Sequence, residues 1–254
     1  MSVTRGNFLK SLGKSLPGMV LGSGVASAAH ALMKKVAAVS AEAPSPGAAA
    51  VVKQKIAPVD FIKSGPGEGN RIALTFDDGP TPGVTDLILD QLKERKIHAT
   101  FFMIGERIAA APDLARRVLA EGHEIGNHTF THPKLDHLPD PQVDAEIQKT
   151  QDLIGELLDY RPVWFRPPCG AFRRDQAGIP GGKGLGIMFW SVDPGDWAQP
   201  GETKIVRTIL AETKPGSIIL CHDMHRQTAD CVGPILDGLL KRDLSFVTVS
   251  TLFS

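Results

Sequence analysis

The stretch from Arg71 to Pro80 constrains the fold more than any other part of the sequence. An apolar run over residues 72–76 ends in two adjacent carboxylates, Asp77 and Asp78, and then in a Gly-Pro turn. Continuous apolar runs of this length are typical of parallel strands that are covered on both faces. Carboxylates at the carboxyl end of such a strand lie where α/β folds place their active sites. An Asx-type turn at a strand end is the alternative explanation.

The composition indicates an ordinary globular chain. Its 254 residues are 42% hydrophobic and 22% charged, which suits one domain of α/β barrel size or two small ones. Lysine and arginine total 28, and aspartate and glutamate also total 28, so no net field favours an anionic partner. We therefore expect no nucleic acid partner, a neutral or mixed-charge substrate, and a monomer.

The first 28 residues resemble an export signal. A basic start precedes a mildly apolar, acid-free segment over residues 15–29, and Ala26-Ser27-Ala28 offers a small-x-small cleavage pattern. The segment 4–10 resembles a twin-arginine signal in which Gly6 replaces the second arginine, so the export route stays open. A membrane-spanning helix needs about 20 apolar residues, more than this segment has. We expect a periplasmic or extracellular protein; an uncleaved tail is the alternative.

The remaining chain divides into a linker and one α/β domain. Residues 29–69 contain an Ala, Pro and Ser-rich stretch and are assigned to a linker, and residues 70–254 to a catalytic domain. The predicted strands cover residues 72–76, 99–104, 122–125, 164–166, 186–192, 217–221 and 246–249. The predicted helices cover residues 84–95, 112–121, 141–160, 202–213 and 228–241. This alternation predicts a distorted (β/α) barrel of about seven mostly parallel strands.

Two histidines follow the third predicted strand with a spacing that suits metal binding. His128 and His132 stand four residues apart, which places both on one side of a helical turn. Two imidazoles and one carboxylate make the three-ligand set of a catalytic divalent metal with an open position. Asp78 is the candidate third ligand, which leaves Asp77 free to accept a proton.

Polar clusters follow three more predicted strands. They are Arg166-Pro-Pro-Cys-Gly170, Asp193-Pro-Gly-Asp-Trp197 and Leu220-Cys-His-Asp223. Each could be a turn or a core histidine when taken alone. Clusters at five successive strand ends are better explained by one shared site, because the carboxyl ends of parallel strands meet at one edge.

These five segments, in this order, resemble the motifs of the polysaccharide deacetylase family, the carbohydrate esterases that share the nodulation chitooligosaccharide deacetylase domain. Thr75 to Pro80 match the family pattern in full, and His128 to His132 match its second motif. The resemblance covers roughly residues 70–252. It implies a metal-dependent hydrolase that removes N-acetyl or O-acetyl groups from polysaccharides, with N-acetyl groups of GlcNAc-type residues favoured.

The resemblance also implies a role for each site residue. Zn²⁺ is the favoured ion, with Co²⁺ and Ni²⁺ as alternatives. The implied roles are metal ligands (Asp78, His128 and His132), a base (Asp77), its tether (Arg166), an acid (His222), its orienting carboxylate (Asp196), and the backbone N–H that binds the oxyanion (Cys169). Trp197, Leu220 and Pro167 are expected to line the substrate pocket, although Trp197 and Leu220 could equally be core residues.

One position departs from the family pattern. Cys169 stands where the third motif has tyrosine, which removes an aromatic wall but keeps the backbone donor. A small apolar filler is the favoured interpretation of this thiol, and a soft ligand or an oxidisable thiol is the alternative. For Cys221 we favour a free core thiol over a disulfide with Cys231.

Two other functions fit the same residues. Relatives that open cyclic amides or imides share the fold, but those typically lack a complete metal triad. A non-catalytic carbohydrate-binding relic would not need the acid and base residues Asp77 and His222. The sequence leaves open which acetylated polymer is the substrate.

Overall fold

The structure is a computed structural model that describes residues 61–254. The export-signal prediction for residues 1–28 and most of the predicted linker lie outside these residues. Within them, no helix is long and apolar enough to cross a membrane. Ile62 accepts a hydrogen bond from the Phe189 N–H and donates one to Ile187, so this end of the predicted linker packs on the domain. The boundary at residue 70 stays a prediction.

Seven parallel strands form one curled sheet. They are β1 (Arg71–Asp77), β2 (Thr100–Met103), β3 (Glu124–Asn127), β4 (Trp164–Phe165), β5 (Gly186–Ile187), β6 (Ile218–His222) and β7 (Ser245–Phe246). The sheet order is β5-β4-β3-β2-β1-β6, and β7 pairs with the start of β1. The segment after β5 returns to β6 through a parallel bridge between Val192 and Ile219. The predicted distorted (β/α) barrel is therefore confirmed.

Several predicted element boundaries were wrong. The fifth strand ends at Ile187 instead of residue 192, and the third strand extends to Asn127. The seventh strand covers only Ser245–Phe246, and Val249, its predicted last residue, begins a short helix. That helix is capped by the Thr248 side chain, which accepts a hydrogen bond from the Thr251 N–H. The β-branched apolar run favours a strand there, whereas the capping residue Thr248 favours a helix. The helix forms because tertiary packing determines the structure of such short segments.

The described residues contain eight helices. They are α1 (Thr85–Glu94), α2 (Gly105–Ala110), α3 (Pro112–Ala120), α4 (Asp140–Leu158), α5 (Gly178–Gly182), α6 (Glu202–Glu212), α7 (Arg226–Leu240) and α8 (Val249–Leu252). Short 3₁₀ turns occur at Leu135–His137, Pro168–Gly170, Arg174–Ala177 and Asp196–Ala198. In α1 the fully buried residues include Ile88, Leu89 and Leu92, whereas Leu87 is only partly buried. These side chains join the main hydrophobic core against β1.

A second, smaller core fills the inside of the barrel. It contains Ala73, Phe102 and Ile218 from the strands together with Val249 and Leu252 of α8. The Val249 N–H donates to Thr100 Oγ1 and the Ser250 N–H to Glu124 Oε2, which are residues at the amino ends of β2 and β3. Helix α8 therefore closes the amino end of the barrel and leaves the carboxyl end for polar residues.

The alternation of side chains along β1 sends Asp77 towards the barrel interior. Ile72, Leu74 and Phe76 belong to the main core beneath the helices. Ala73 and the two polar residues Thr75 and Asp77 therefore point to the opposite face, since successive side chains of a strand alternate. In the parallel pairing with β6, Thr75 lies opposite Leu220 and Asp77 lies opposite His222.

We expect Gly126→Ala to destabilise the fold. A Cβ at Gly126 in β3 would lie 2.4 Å from the Phe102 ring. Overpacking of this kind typically costs about 1–3 kcal/mol. Gly181→Ala in α5 is the matched control, because nothing lies within 4 Å of its added Cβ. Urea unfolding should give a lower free energy of unfolding for Gly126→Ala than for the wild type and no decrease for Gly181→Ala. Equal decreases for both variants would contradict the close packing of Gly126 against Phe102.

Candidate active site

The two adjacent carboxylates at the end of β1 face different partners. Asp77 Oδ1 lies 2.7 Å from Arg166 Nη1, whereas Asp78 Oδ1 lies 3.4 Å from His128 Nε2 and 3.0 Å from His132 Nε2. Asp78 adopts the left-handed backbone conformation with φ 77°, which is strained for a residue with a Cβ. The two carboxylates thus have different nearest partners, although both lie within 4 Å of His128 Nε2.

Arg166 follows β4 and is fully buried. Its guanidinium donates to Asp77 Oδ1 and Thr75 Oγ1, and to the carbonyl oxygens of Met188 and Phe189 at 3.2 and 2.9 Å. It also stacks over the Phe102 ring at 4.0 Å. Burial lowers the pKa of Arg166, and the charge of Asp77 opposes that shift. A buried guanidinium with these acceptors fixes one oxygen of Asp77 in place.

Three possible metal-binding side chains converge beside this pair. Asp78, His128 and His132 each offer one donor atom, and these atoms lie within 4.8 Å of one another. His128 Nδ1 lies 2.7 Å from the carbonyl oxygen of Arg166, so Nε2 is the nitrogen that faces Asp78. Within the described residues, Asp78 Oδ1 is buried without a hydrogen-bond partner. Burial raises the pKa of Asp78, but the two imidazoles lower it by more, so it lies well below its ordinary value.

His222, at the end of β6, forms an ion pair with a buried carboxylate. Its Nδ1 lies 2.8 Å from Asp196 Oδ1, and its backbone N–H donates to Asp196 Oδ2 at 2.7 Å. Burial lowers the pKa of His222, but Asp196 with support from Asp77 and Asp78 raises it to about 9. The folded pKa exceeds the ordinary 6.5, so this pair stabilises the fold fully below about pH 6.5. That contribution is lost as the pH rises through about 9.

The other predicted site residues surround this group. Cys169 is exposed and has φ 55°, and partial burial raises the pKa of its thiol. Pro167 is buried next to it. Leu220 is 3% exposed and lies on the same face of β6 as His222, whereas Trp197 is 59% exposed. Trp197 is therefore not a core residue, and Leu220 lies inside the barrel beside the site.

All three cysteines are free, and the disulfide alternative for Cys221 and Cys231 was wrong. Cys221 is buried in β6, as predicted for a core thiol. Cys169 is outside the metal-donor group that the described residues form, so the soft-ligand alternative has no support.

The sequence interpretation missed several residues that support the site. Thr75 donates to the Ile219 carbonyl oxygen and accepts from Arg166, and Thr228 Oγ1 donates to Asp196 Oδ2 at 2.7 Å. Asp223 is fully buried and accepts from Thr85 Oγ1 at 2.6 Å. Burial raises its pKa to about 7. Thr75 begins the first family motif, but nothing in the sequence pairs it with Arg166, and a hydroxyl inside an apolar run is also common in ordinary strands.

A cleft of about 300 Å³ opens beside Asp78 and His132. Its wall combines charged, polar and apolar side chains, and the other lining residues are Ile104, Glu106, Arg107, Thr131 and Met224. The cleft therefore reaches two of the three donor side chains, Asp78 and His132, from the solvent side.

The carboxyl ends of the strands of this parallel barrel hold a tethered carboxylate, a paired histidine and three metal-donor side chains. This is the layout of a hydrolase. The Polysaccharide deacetylase family model matches residues 64–181. A peptidoglycan-N-acetylglucosamine deacetylase of Bacillus cereus is 37% identical over 197 residues, which are 76% of this chain and 72% of that protein. The chain therefore belongs to the polysaccharide deacetylase family.

Two further relatives agree in sequence and structure. The peptidoglycan-N-acetylmuramic acid deacetylase PdaC of Bacillus subtilis is 40% identical over 181 residues, which are 71% of this chain. This chain spans only 38% of the length of PdaC. The crystal structure of the Bc1960 peptidoglycan N-acetylglucosamine deacetylase superimposes with a TM-score of 0.74 and 35% identity, covering 77% of this chain and 93% of that one.

We expect Asp196→Asn to lower the pKa of His222 from about 9, because burial is then opposed only by the more distant charges of Asp77 and Asp78. Imidazole proton shifts in a ¹H NMR titration of the metal-free protein would measure the pKa of His222. The signal that is missing in His222→Gln identifies this residue. His137, at the exposed end of a 3₁₀ turn, serves as the internal reference that should not change. An unchanged His222 titration would contradict the ion-pair account.

Proposed function

We propose that this protein is a metal-dependent deacetylase that hydrolyses the acetamide of GlcNAc-type residues in an extracellular polysaccharide. One observation carries the proposal: the adjacent carboxylates are divided, with Asp77 held by Arg166 and Asp78 turned to His128 and His132. A deacetylase needs this division, because one carboxylate must accept a proton while the other binds an ion.

The donor set fits a divalent ion. Two imidazole nitrogens and one carboxylate oxygen are a typical set of three protein ligands for a catalytic zinc site, in which the fourth position is open to water or substrate. The buried Asp78 Oδ1 has no hydrogen-bond partner among the described residues, and coordination would satisfy it. Asp78, His128 and His132 would hold the ion, with Zn²⁺ favoured over Co²⁺ and Ni²⁺. When bound, such an ion supplies Lewis acidity that lowers the pKa of water and polarises a carbonyl group.

Asp77 and His222 would exchange protons with the reactants. Asp77 Oδ2 lies 3.7 Å from His128 Nε2, and its other oxygen is held by Arg166, so Oδ2 is the atom that accepts a proton from the attacking water. His222 is protonated at neutral pH because its pKa is about 9. Its Nδ1 faces Asp196, which leaves Nε2 to donate a proton to the departing amine. Asp196 is the positioning residue for that imidazole.

Other residues would bind the acyl group. The Cys169 backbone N–H would stabilise the oxyanion; Cys169 has a left-handed backbone conformation, as Asp78 and His132 do. Leu220, beside His222 on the inner face of β6, would contact the acetyl methyl group, with Pro167 nearby. The exposed Trp197 indole offers an apolar face to a sugar ring.

The substrate class rests on the relatives. The proteins named above act on peptidoglycan N-acetylglucosamine or N-acetylmuramic acid residues, as their names state. We propose an acetylated glycan of the cell envelope or matrix as substrate, an exported location and a monomeric enzyme. O-acetyl groups are a second possible substrate of the same chemistry.

The two alternative functions have less support. A cyclic amide or imide hydrolase of this family would not need the complete group of Asp78, His128 and His132. A carbohydrate-binding relic would need neither the buried Arg166 tether of Asp77 nor the Asp196 partner of His222. Each of these buried charges costs desolvation energy that binding alone would not require.

Acetate release tests the proposal. The full chain is incubated with acetylated chitooligosaccharide, peptidoglycan, poly-N-acetylglucosamine and acetylxylan, each with Zn²⁺, with Co²⁺ or after exhaustive chelation. We expect release from at least one N-acetylated glycan, loss on chelation and recovery on addition of metal. Full activity without residual metal, or ring opening of a cyclic imide in place of acetate release, would contradict the proposal.

A further inference from the structure

We propose that Glu146 of α4 is a positioning residue that holds the loop 129–132 so that His128 and His132 converge on Asp78. This inference rests on the proposed metal-binding function. It assigns to Glu146 no contact with the ion or the substrate. Its basis is a set of hydrogen bonds to the loop between the two histidines.

The loop needs an external support because its backbone is strained. Thr129 has φ 66° and His132 has φ 61°, which is the left-handed region that residues with a Cβ rarely adopt. Such residues persist only where the surrounding structure fixes them. Local bonds help, since the Thr129 N–H donates to Asn127 Oδ1 and the His132 N–H to Thr129 Oγ1.

The carbonyl groups of the loop bind one neighbour, α2. The Gly105 N–H donates to the Thr129 carbonyl oxygen at 2.9 Å, and the Glu106 N–H donates to the Phe130 carbonyl oxygen at 3.0 Å. These are backbone contacts, and the first of them needs a glycine, because a Cβ at Gly105 would collide with the Phe130 ring. They hold the loop from one side only.

The amide groups of the loop bind Glu146 on the other side. Its Oε2 accepts from the Phe130 N–H at 2.9 Å and from the Thr131 N–H at 2.8 Å, and its Oε1 accepts from Thr131 Oγ1 at 2.9 Å. Lys149, one turn further along α4, lies over the Phe130 ring at 3.4 Å from its centroid. A carboxylate that accepts two backbone N–H bonds is a strong, charge-assisted anchor.

Removal of the Glu146 carboxylate should weaken metal binding. It should not change the hydrolysis step of the metal-loaded protein. Without Glu146, two loop amides lose their partner and the loop gains conformations in which the imidazoles diverge. Binding then has to restore the strained conformation, so the apparent affinity falls with the fraction of competent loops. Once the metal is bound, the ligands and the proton-transfer residues are the same as in the wild type.

Zinc titration of metal-free full-length protein by calorimetry tests this inference. We expect Glu146→Ala to raise the Kd for Zn²⁺ by about 10- to 100-fold, as is typical when a residue that supports ligands is lost. Glu146→Gln keeps the shape and the acceptor oxygen and should stay within about threefold of the wild type. Glu146→Asp keeps the charge but is one methylene shorter, so it should bind more weakly than Glu146→Gln.

Glu156→Ala is the matched control. Glu156 is an exposed residue of the same helix, and its side chain makes no hydrogen bond or ion pair within residues 61–254. We expect its Kd to equal that of the wild type. The Tm of each metal-free variant is measured in parallel, and the Kd values are taken well below the lowest Tm.

The possible outcomes separate this inference from the proposed function. A lower Tm for Glu146→Ala with an unchanged Kd would show a purely structural role and overturn the inference. If Glu146→Asp binds Zn²⁺ as tightly as Glu146→Gln, the inference is also overturned. This second comparison still applies if Glu146→Ala does not fold. Failure of the wild-type protein to bind any divalent ion would instead refute the proposed function.

Discussion

The site depends on one buried ion pair, that between Arg166 and Asp77. Arg166 has no access to water, so its guanidinium must find all of its partners inside the barrel. Removal of one member of such a pair typically costs about 3–5 kcal/mol, because the other charge is then left buried alone. Since Arg166 takes Asp77 Oδ1, Asp78 is the carboxylate that turns to the histidines. A contact that is costly to break and a division of chemical roles thus share the same atoms.

The parallel sheet explains why the remaining groups arrive at the same place. Asp77 in β1 and His222 in β6 lie opposite each other in register, and the Asp223 N–H donates to the Asp77 carbonyl oxygen. The loops beyond the strands carry the backbone strain: Asp78, His132 and Cys169 have positive φ. Strain of this kind concentrates at functional sites and is sustained by the rigid elements around them. Here those elements are the short strand ends and the first turns of the helices that follow.

Local patterns predicted the seven strands and the five longer helices but not the short helices α2, α5 and α8, and long-range contacts set the details. The buried run before Asp77 and the four-residue spacing of His128 and His132 are visible in the sequence, because they depend on strand and turn geometry alone. The tether from Arg166 to Thr75 is not, since 91 residues separate the two. The wrong prediction that the seventh strand extends to Val249 has the same cause. Val249 is β-branched, but it packs inside the barrel against residues far away in the chain, and a capped helix achieves that burial.

The division of roles between Asp77 and Asp78 is the central claim, and bound metal measured together with acetate release tests it most directly. Asp77→Asn should keep one divalent ion per chain while activity falls by about 10²- to 10⁴-fold, the loss expected for one proton-transfer group. Asp78→Asn should lose the ion, because a three-ligand site has no spare ligand. Loss of the metal in Asp77→Asn with retention in Asp78→Asn would reverse the assignment and contradict the account.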